Sequence, residues 1–160
     1  MKKQKKPEPL DRQGLMHAAV DLLSRRDYSR QELYRKLSSR TDDVDALQQV
    51  LDDLAERRWQ SDTRFGAMFV RSRASRGVGP RRLQQELSYK GLSDQDKHEV
   101  MSEAETDWQA LAIEVAEKKA RQIAPDDPQR KAKLWRFLSY RGFSSDQIGY
   151  AIDSVLSSTD

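Results

Sequence analysis

Apolar residues recur along this chain at intervals of three and four, and no stretch shows the strict alternation of a half-buried strand. Leu15, Ala19, Leu22 and Leu23 mark a first helix with Asp11 as its cap. Ser29 and Glu32 have the spacing of a capping box ahead of Leu33 and Leu37. Val44, Leu47, Val50, Leu51 and Leu54 form the apolar stripe of a third helix opened by Thr41-Asp42-Asp43. Asp45, Asp52, Asp53 and Glu56 make its other face acidic. Further along, Ser61 caps a helix with Phe65 and Phe69 on one face and Gly77 as its stop, and Gly79-Pro80 starts another that closes at Lys90-Gly91. Ser93 opens a short helix carrying Val100, Met101 and Ala104. From about Asp107 a helix bears Trp108, Leu111, Ala112, Val115 and Ala116 and breaks at Pro125. Asp127-Pro128 reads as the cap and first-turn proline of the next, with Leu134 and Leu138 inward and a stop at Arg141-Gly142. Ser144 and Gln147 form a second capping box before Ile148, Ile152, Val155 and Leu156.

Aligning these segments reveals a repeat. Leu33, Leu37 and Arg40 correspond to Leu83, Leu87 and Lys90 at an offset of 50, and those to Leu134, Leu138 and Arg141 at 51. The third helices keep register through Val50, Val100 and Ala151. The pattern therefore predicts an all-α chain of three tandem three-helix repeats at 11–58, 59–106 and 107–157, forming an elongated, curved molecule between a disordered basic arm (1–10) and a polar tail (158–160). Composition agrees, since 36% hydrophobic against 34% charged residues supplies small cores rather than one thick one. Such a surface suits wrapping a large partner.

Charge narrows the picture. The net charge is only +3, yet Thr63 to Gln85 holds six arginines and no acid. Arg64, Arg71, Arg73, Arg76, Arg81 and Arg82, with Lys90, are thus candidate contacts for an anionic partner, either DNA or an acidic protein groove, because a guanidinium forks onto phosphates and carboxylates alike. Pairing of Arg71 or Arg82 with acids of neighbouring third helices is the internal alternative. Tyr89 and Tyr140 occupy equivalent positions beside Lys90 and Arg141, where they can pack on an adjoining helix or stack on bases.

Catalytic chemistry finds no foothold. His17 and His98 lack metal-ligand spacing, Gly77-Val78-Gly79 lacks the lysine and hydroxyl of a phosphate-binding loop, and Asp52-Asp53 point apart on a helix. Without cysteine there is no disulfide or thiolate site, and no apolar run reaches the roughly 20 residues of a bilayer span. The expectation is a cytoplasmic, monomeric, non-enzymatic protein without cofactor or metal.

These residues also carry a resemblance. Ser29-Arg-Gln-Glu-Leu33, Trp59-Gln-Ser-Asp62 with Arg64, Phe65, Phe69, Val70 and Arg73, Gly79 through Lys90-Gly91, and Lys133-Leu134 through Arg141-Gly142-Phe143 resemble the RecX family of bacterial RecA regulators over roughly residues 11–156. The resemblance implies three tandem three-helix repeats. It also implies a partner, the RecA protein and its filament on single-stranded DNA, whose extension, ATP hydrolysis and strand exchange the family restrains during DNA repair, recombination and the SOS response. Contact would fall on the central-repeat cations named above and, by position, on Arg141. Two departures stand out: Thr41 replaces the glycine of the later repeats, and the Pro125 to Pro128 break replaces Gly79-Pro80. Direct DNA binding, or scaffolding of another acidic protein, are the competing functions.

Overall fold

The computed structural model describes residues 7–158. Lys2, Lys3, Lys5 and Lys6 of the predicted arm, and the last two residues of the tail, lie outside the described residues. Among the described residues the secondary structure is helical throughout: α1 (Arg12–Leu23), α2 (Arg30–Ser38), α3 (Val44–Glu56), α4 (Asp62–Ala74), α5 (Pro80–Tyr89), α6 (Asp94–Glu103), α7 (Trp108–Ala120), α8 (Arg130–Arg141) and α9 (Ser145–Ser157). Successive triplets form three tandem repeats.

The caps explain the boundaries. Asp11, Ser29, Asp43, Ser61, Ser93, Asp107 and Ser144 each accept a hydrogen bond from a first-turn N–H of the helix they open. Both expected capping boxes are complete, Ser29 with Glu32 and Ser144 with Gln147. Such a cap is worth about 1 kcal/mol, enough to decide where a short amphipathic helix starts. One start differs from expectation. Asp127-Pro128 forms a turn in which Asp127 accepts from the Gln129 N–H at 2.8 Å, and α8 begins afterwards at Arg130 with no side-chain cap. The aspartate caps the turn, not the helix.

Each repeat encloses its own core. Leu15, Leu33, Leu37, Leu47, Leu51 and Leu54 fill the first, Phe65, Val70, Leu83, Leu87 and Val100 the second, and Ala112, Ala116, Leu134, Leu138, Phe143 and Ile152 the third. Among the described hydrophobic residues, Trp108, at the start of α7, packs against that middle core from outside the second repeat. Three small cores leave much surface: 10816 Å2 is accessible, against roughly 8,200 Å2 for a compact globule of this mass.

The repeats join end to end through their second helices. The C-terminal end of α8 abuts the N-terminal end of α5, where Gly79 N–H donates to the Arg141 carbonyl (2.7 Å) and Arg81 N–H to that of Gly142 (2.9 Å). Likewise α5 ends against α2, whose cap Ser29 donates its hydroxyl to the Lys90 carbonyl at 2.8 Å. Orphan carbonyls of one helix thus meet the donors and positive dipole end of the next. Among the described residues no further helix abuts the end of α2. There Leu10 N–H donates to the Arg40 carbonyl (2.8 Å) and Thr41 Oγ1 to that of Leu10 (3.0 Å). The segment before α1 thus folds back over the end of α2, and Thr41, through its hydroxyl, holds it there where the later repeats carry glycine.

Candidate partner-binding face

The arginines singled out in the sequence divide by what they touch. Arg73, in the last turn of α4, forks onto Glu86 of α5 with Nε to Oε2 at 3.0 Å and a terminal nitrogen to Oε1 at 2.6 Å. Arg82 reaches the same carboxylate from one turn earlier in α5, at 3.2 Å. Burial is the largest influence on Glu86 and opposes its ionisation, but the bonds and charges of Arg73 and Arg82 outweigh it and hold the carboxyl below its ordinary range. The hydrogen bond from Glu86 correspondingly raises the pKa of Arg73. With Phe69, Tyr89 and Lys90 these groups line an open cleft of about 560 Å3.

Lys90 and Arg64 are also engaged. Lys90 Nζ lies 3.0 Å from Glu32 of the first repeat. On Glu32 burial again opposes ionisation most strongly, and bonds from Arg26, the Ser29 N–H and Lys90 prevail, leaving its carboxyl below the usual value. Arg64 binds Asp27 at 2.9 Å and the carbonyls of Arg58 and Trp59 at 3.0 and 2.8 Å, clamping the linker between α3 and α4. Arg58, in that linker, holds the left-handed backbone conformation at φ 59°.

Three arginines remain. Arg71, Arg76 and Arg81 are exposed, and among the described residues their guanidinium groups have no ion-pair or hydrogen-bond partner. Arg71 shares a cleft with Glu103 and Glu105 without an ion pair to either. Arg141 donates to the Arg76 carbonyl at 2.9 Å and stacks on Phe137. Tyr89 and Tyr140 are 68% and 74% exposed, each with an arginine of the preceding repeat over its ring: Arg35 at 4.8 Å and Arg82 at 5.1 Å. Packing on the neighbour and exposure to a partner therefore coexist at both tyrosines.

Basic charge extends beyond the central stretch. The abutting second helices carry it: α8 has five cations and no acid, α2 three cations against Glu32, and α5 two against Glu86. Third helices carry the opposite sign, with four carboxylates and no cation on α3, four against Lys97 on α6, and two and none on α9. Sequence reasoning overlooked Arg35, Lys119, Lys131 and Arg136, although the cation count of α8 was open to reading. His17 and His98 are exposed on α1 and α6, and among the described residues no three His, Cys, Asp or Glu side chains gather as a metal site would need. No helix among them is long and apolar enough to cross a membrane.

Comparison with known proteins agrees with this architecture. Family models match in tandem: RecX, first three-helix domain, at residues 16–54; RecX, second three-helix domain, at 61–101; and RecX, third three-helix domain, at 105–152. The chain belongs to the RecX family. It is 41% identical over 139 residues to the regulatory protein RecX of Actinobacillus pleuropneumoniae serotype 5b, covering 87% of this chain and 91% of the relative. With the regulatory protein RecX of Pseudomonas entomophila it shares 41% over 136 residues, 85% of this chain and 88% of that one. The crystal structure of RecX from Lactobacillus salivarius superposes with a TM-score of 0.80 at 25% identity, covering 91% of this chain and 96% of the other. Relatives named as regulatory proteins point to a regulator rather than an enzyme.

Proposed function

We propose that this protein regulates the RecA recombinase by binding RecA and its filament on single-stranded DNA, limiting filament extension or promoting disassembly, and so lowering strand exchange and ATP hydrolysis during DNA repair. It acts in the cytoplasm as a monomer, built of units bounded at 11–58, 59–106 and 107–157. The observation that carries the reading, beside membership of the family, is the set of three unpaired guanidinium groups, Arg71, Arg76 and Arg81, in a middle repeat whose other cations, Arg64, Arg73, Arg82, Lys90 and Lys97, are each held by a carboxylate. An unpaired arginine at a water-exposed site is free to fork onto a carboxylate or phosphate of a partner. No catalytic group is required, because a ligand that prefers one state of a filament shifts the equilibrium by that preference alone.

The test is single-stranded-DNA-stimulated ATP hydrolysis by the cognate RecA, titrated with this protein. Inhibition should set in at levels too low to coat the DNA. Replacing Arg71, Arg76 and Arg81 by glutamate should weaken inhibition at least tenfold with the helical spectrum retained. Replacing Arg73 should instead lower stability, through loss of the Glu86 pair. Full inhibition by the triple variant would remove these arginines from the contact.

A further inference from the structure

A basic trough crosses from the second repeat onto the third. At its near end Arg76, Lys118, Lys119, Phe137 and Arg141 surround a depression of about 300 Å3. At its far end Lys119, Gln122, Lys133, Arg136 and Phe137 surround another of about 430 Å3. Lys119, Gln122 and Phe137 belong to both, so the two run into one another. Two carboxylates line the trough, and each is matched by a lysine: Glu114 by Lys118 at 3.4 Å and Asp127 by Lys133 at 2.5 Å. Arg76, Lys119, Arg136 and Arg141 have no carboxylate partner among the described residues.

Phe137 holds two of these cations in place. Its half-buried ring has Lys119 Nζ 4.7 Å and Arg141 Cζ 4.9 Å from its centroid. A ring fixes a cation's position without neutralising it, unlike a carboxylate. The trough therefore keeps its positive charge pre-positioned and available. Trp135 and Tyr140, 40% and 74% exposed on the same helix as Phe137, lie outside both depressions.

We propose that this trough binds the phosphodiester backbone of a single nucleic-acid strand. A line of unneutralised cations is complementary in charge to a phosphate backbone and tracks it without reading sequence. A flexible strand can follow depressions of this size, whereas a rigid duplex would lie across their rims. The site requires no RecA, so it goes beyond the function proposed above and stands or falls separately from it.

The experiment is fluorescence anisotropy of a labelled oligo-dT strand with the full chain alone, across a salt series, comparing the parent with the double substitution Lys119→Gln and Arg136→Gln. Both residues are clear of the hydrophobic cores, and an unchanged melting curve checks the fold. As a charge-matched control, Arg25→Gln and Arg57→Gln sit in the first repeat. If each cation meets a phosphate, the log–log salt slope of the trough variant falls by about 1.4 and its affinity at 0.1 M salt by roughly 25-fold. The control stays within twofold of the parent. Absence of binding by the parent at low salt, or a trough variant that keeps the parental slope, overturns the proposal. So does a trough variant that binds DNA normally but no longer inhibits RecA, since the trough would then serve a protein. Lost DNA binding with inhibition of RecA intact supports the trough and separates it from that inhibition.

Discussion

Between the first and second repeats the contact is made by side chains, and between the second and third by the backbone. At the first joint the Ser29 hydroxyl meets the Lys90 carbonyl, Lys90 pairs with Glu32, and Asp62 accepts from the Arg30 N–H at 2.9 Å. Gln60, almost fully buried, donates to the Tyr28 carbonyl and to Asp62. At the second joint Gly79 and Arg81 donate main-chain N–H groups to main-chain carbonyls of α8. A repeat-to-repeat exchange explains the contrast. The position of Glu32 is occupied by Arg82 in the second repeat, facing Arg141 where Glu32 faces Lys90, so no salt bridge can form. Arg82 turns to Glu86 and Arg141 to the Arg76 carbonyl instead. With no ion pair across the contact, main-chain groups meet directly. The first joint depends on an ionised pair, and the second on main-chain bonds that glycine makes room for, with Arg141 and Arg82 adding bonds to carbonyls.

The glycines test this most severely. Gly142 has φ 96°, and a Cβ there would stand 2.6 Å from the backbone nitrogen of Arg82, while one on Gly79 would stand 2.6 Å from the carbonyl carbon of Gly142. Gly91 has a similar φ of 91°, and its Cβ would stand 2.6 Å from Gln31 Oε1, which can swing aside, and 2.7 Å from Gln31 Cβ, which the backbone holds, with no backbone atom among its nearest neighbours. Gly142→Ala should therefore destabilise the protein by about 3 kcal/mol or more, and Gly91→Ala by less, about 2, since there the left-handed backbone is penalised and only a side chain, not the neighbouring backbone, has to shift. Urea denaturation of the two variants measures the difference. Equal losses would mean that the second joint is no more closely packed than the first.

Acid should separate the joints next. Because the Glu32 carboxyl is held below its ordinary value, the folded state favours its ionised form. The stability this gives is present above the ordinary carboxylate range and is lost as pH falls through the depressed value. Glu32→Gln should lower stability at pH 7 by about 1–2 kcal/mol and flatten its decline below pH 4.5. Denaturation midpoints at pH 7 and pH 3.5 give the comparison; an equally steep decline in the variant would place the acid-sensitive contact elsewhere. The smallest effect should be that of salt. Between 0.1 and 1 M the Debye length shrinks from about 10 to 3 Å, weakening the Lys90–Glu32 pair but not a backbone bond. Hydrogen exchange at the Arg30 amide should accelerate by a few-fold while the Gly79 and Arg81 amides hold constant.

Much of this was legible beforehand, for identifiable reasons. Capping residues act on N–H groups two or three positions away, so Ser29, Ser61, Ser93, Asp107 and Ser144 mark helix starts in any context. Asp127-Pro128 misled because an aspartate also stabilises the turn before a helix, by the same kind of bond. The candidate face was legible only as a density of arginines. Arg64, Arg73 and Lys90 are bound to Asp27, Glu86 and Glu32, acids that lie 37, 13 and 58 residues away along the chain. The trough eluded sequence reading altogether, since Arg76, Lys119 and Arg136 come from three separate helical regions.

The sequence by itself determined the helices, their caps apart from that of α8, the period of 50 and 51 residues and most of each core, Trp108 being an exception. All of these follow from interactions within a turn or two of helix or from a recurring apolar stripe. Tertiary structure alone decided which cations are neutralised and how the repeats abut. Ion pairs and joints depend on distances between residues far apart in the chain. The exchange of Glu32 for Arg82 acquires its meaning only when Lys90 and Arg141 arrive opposite them, because a charge has no assigned partner until the fold brings one within reach.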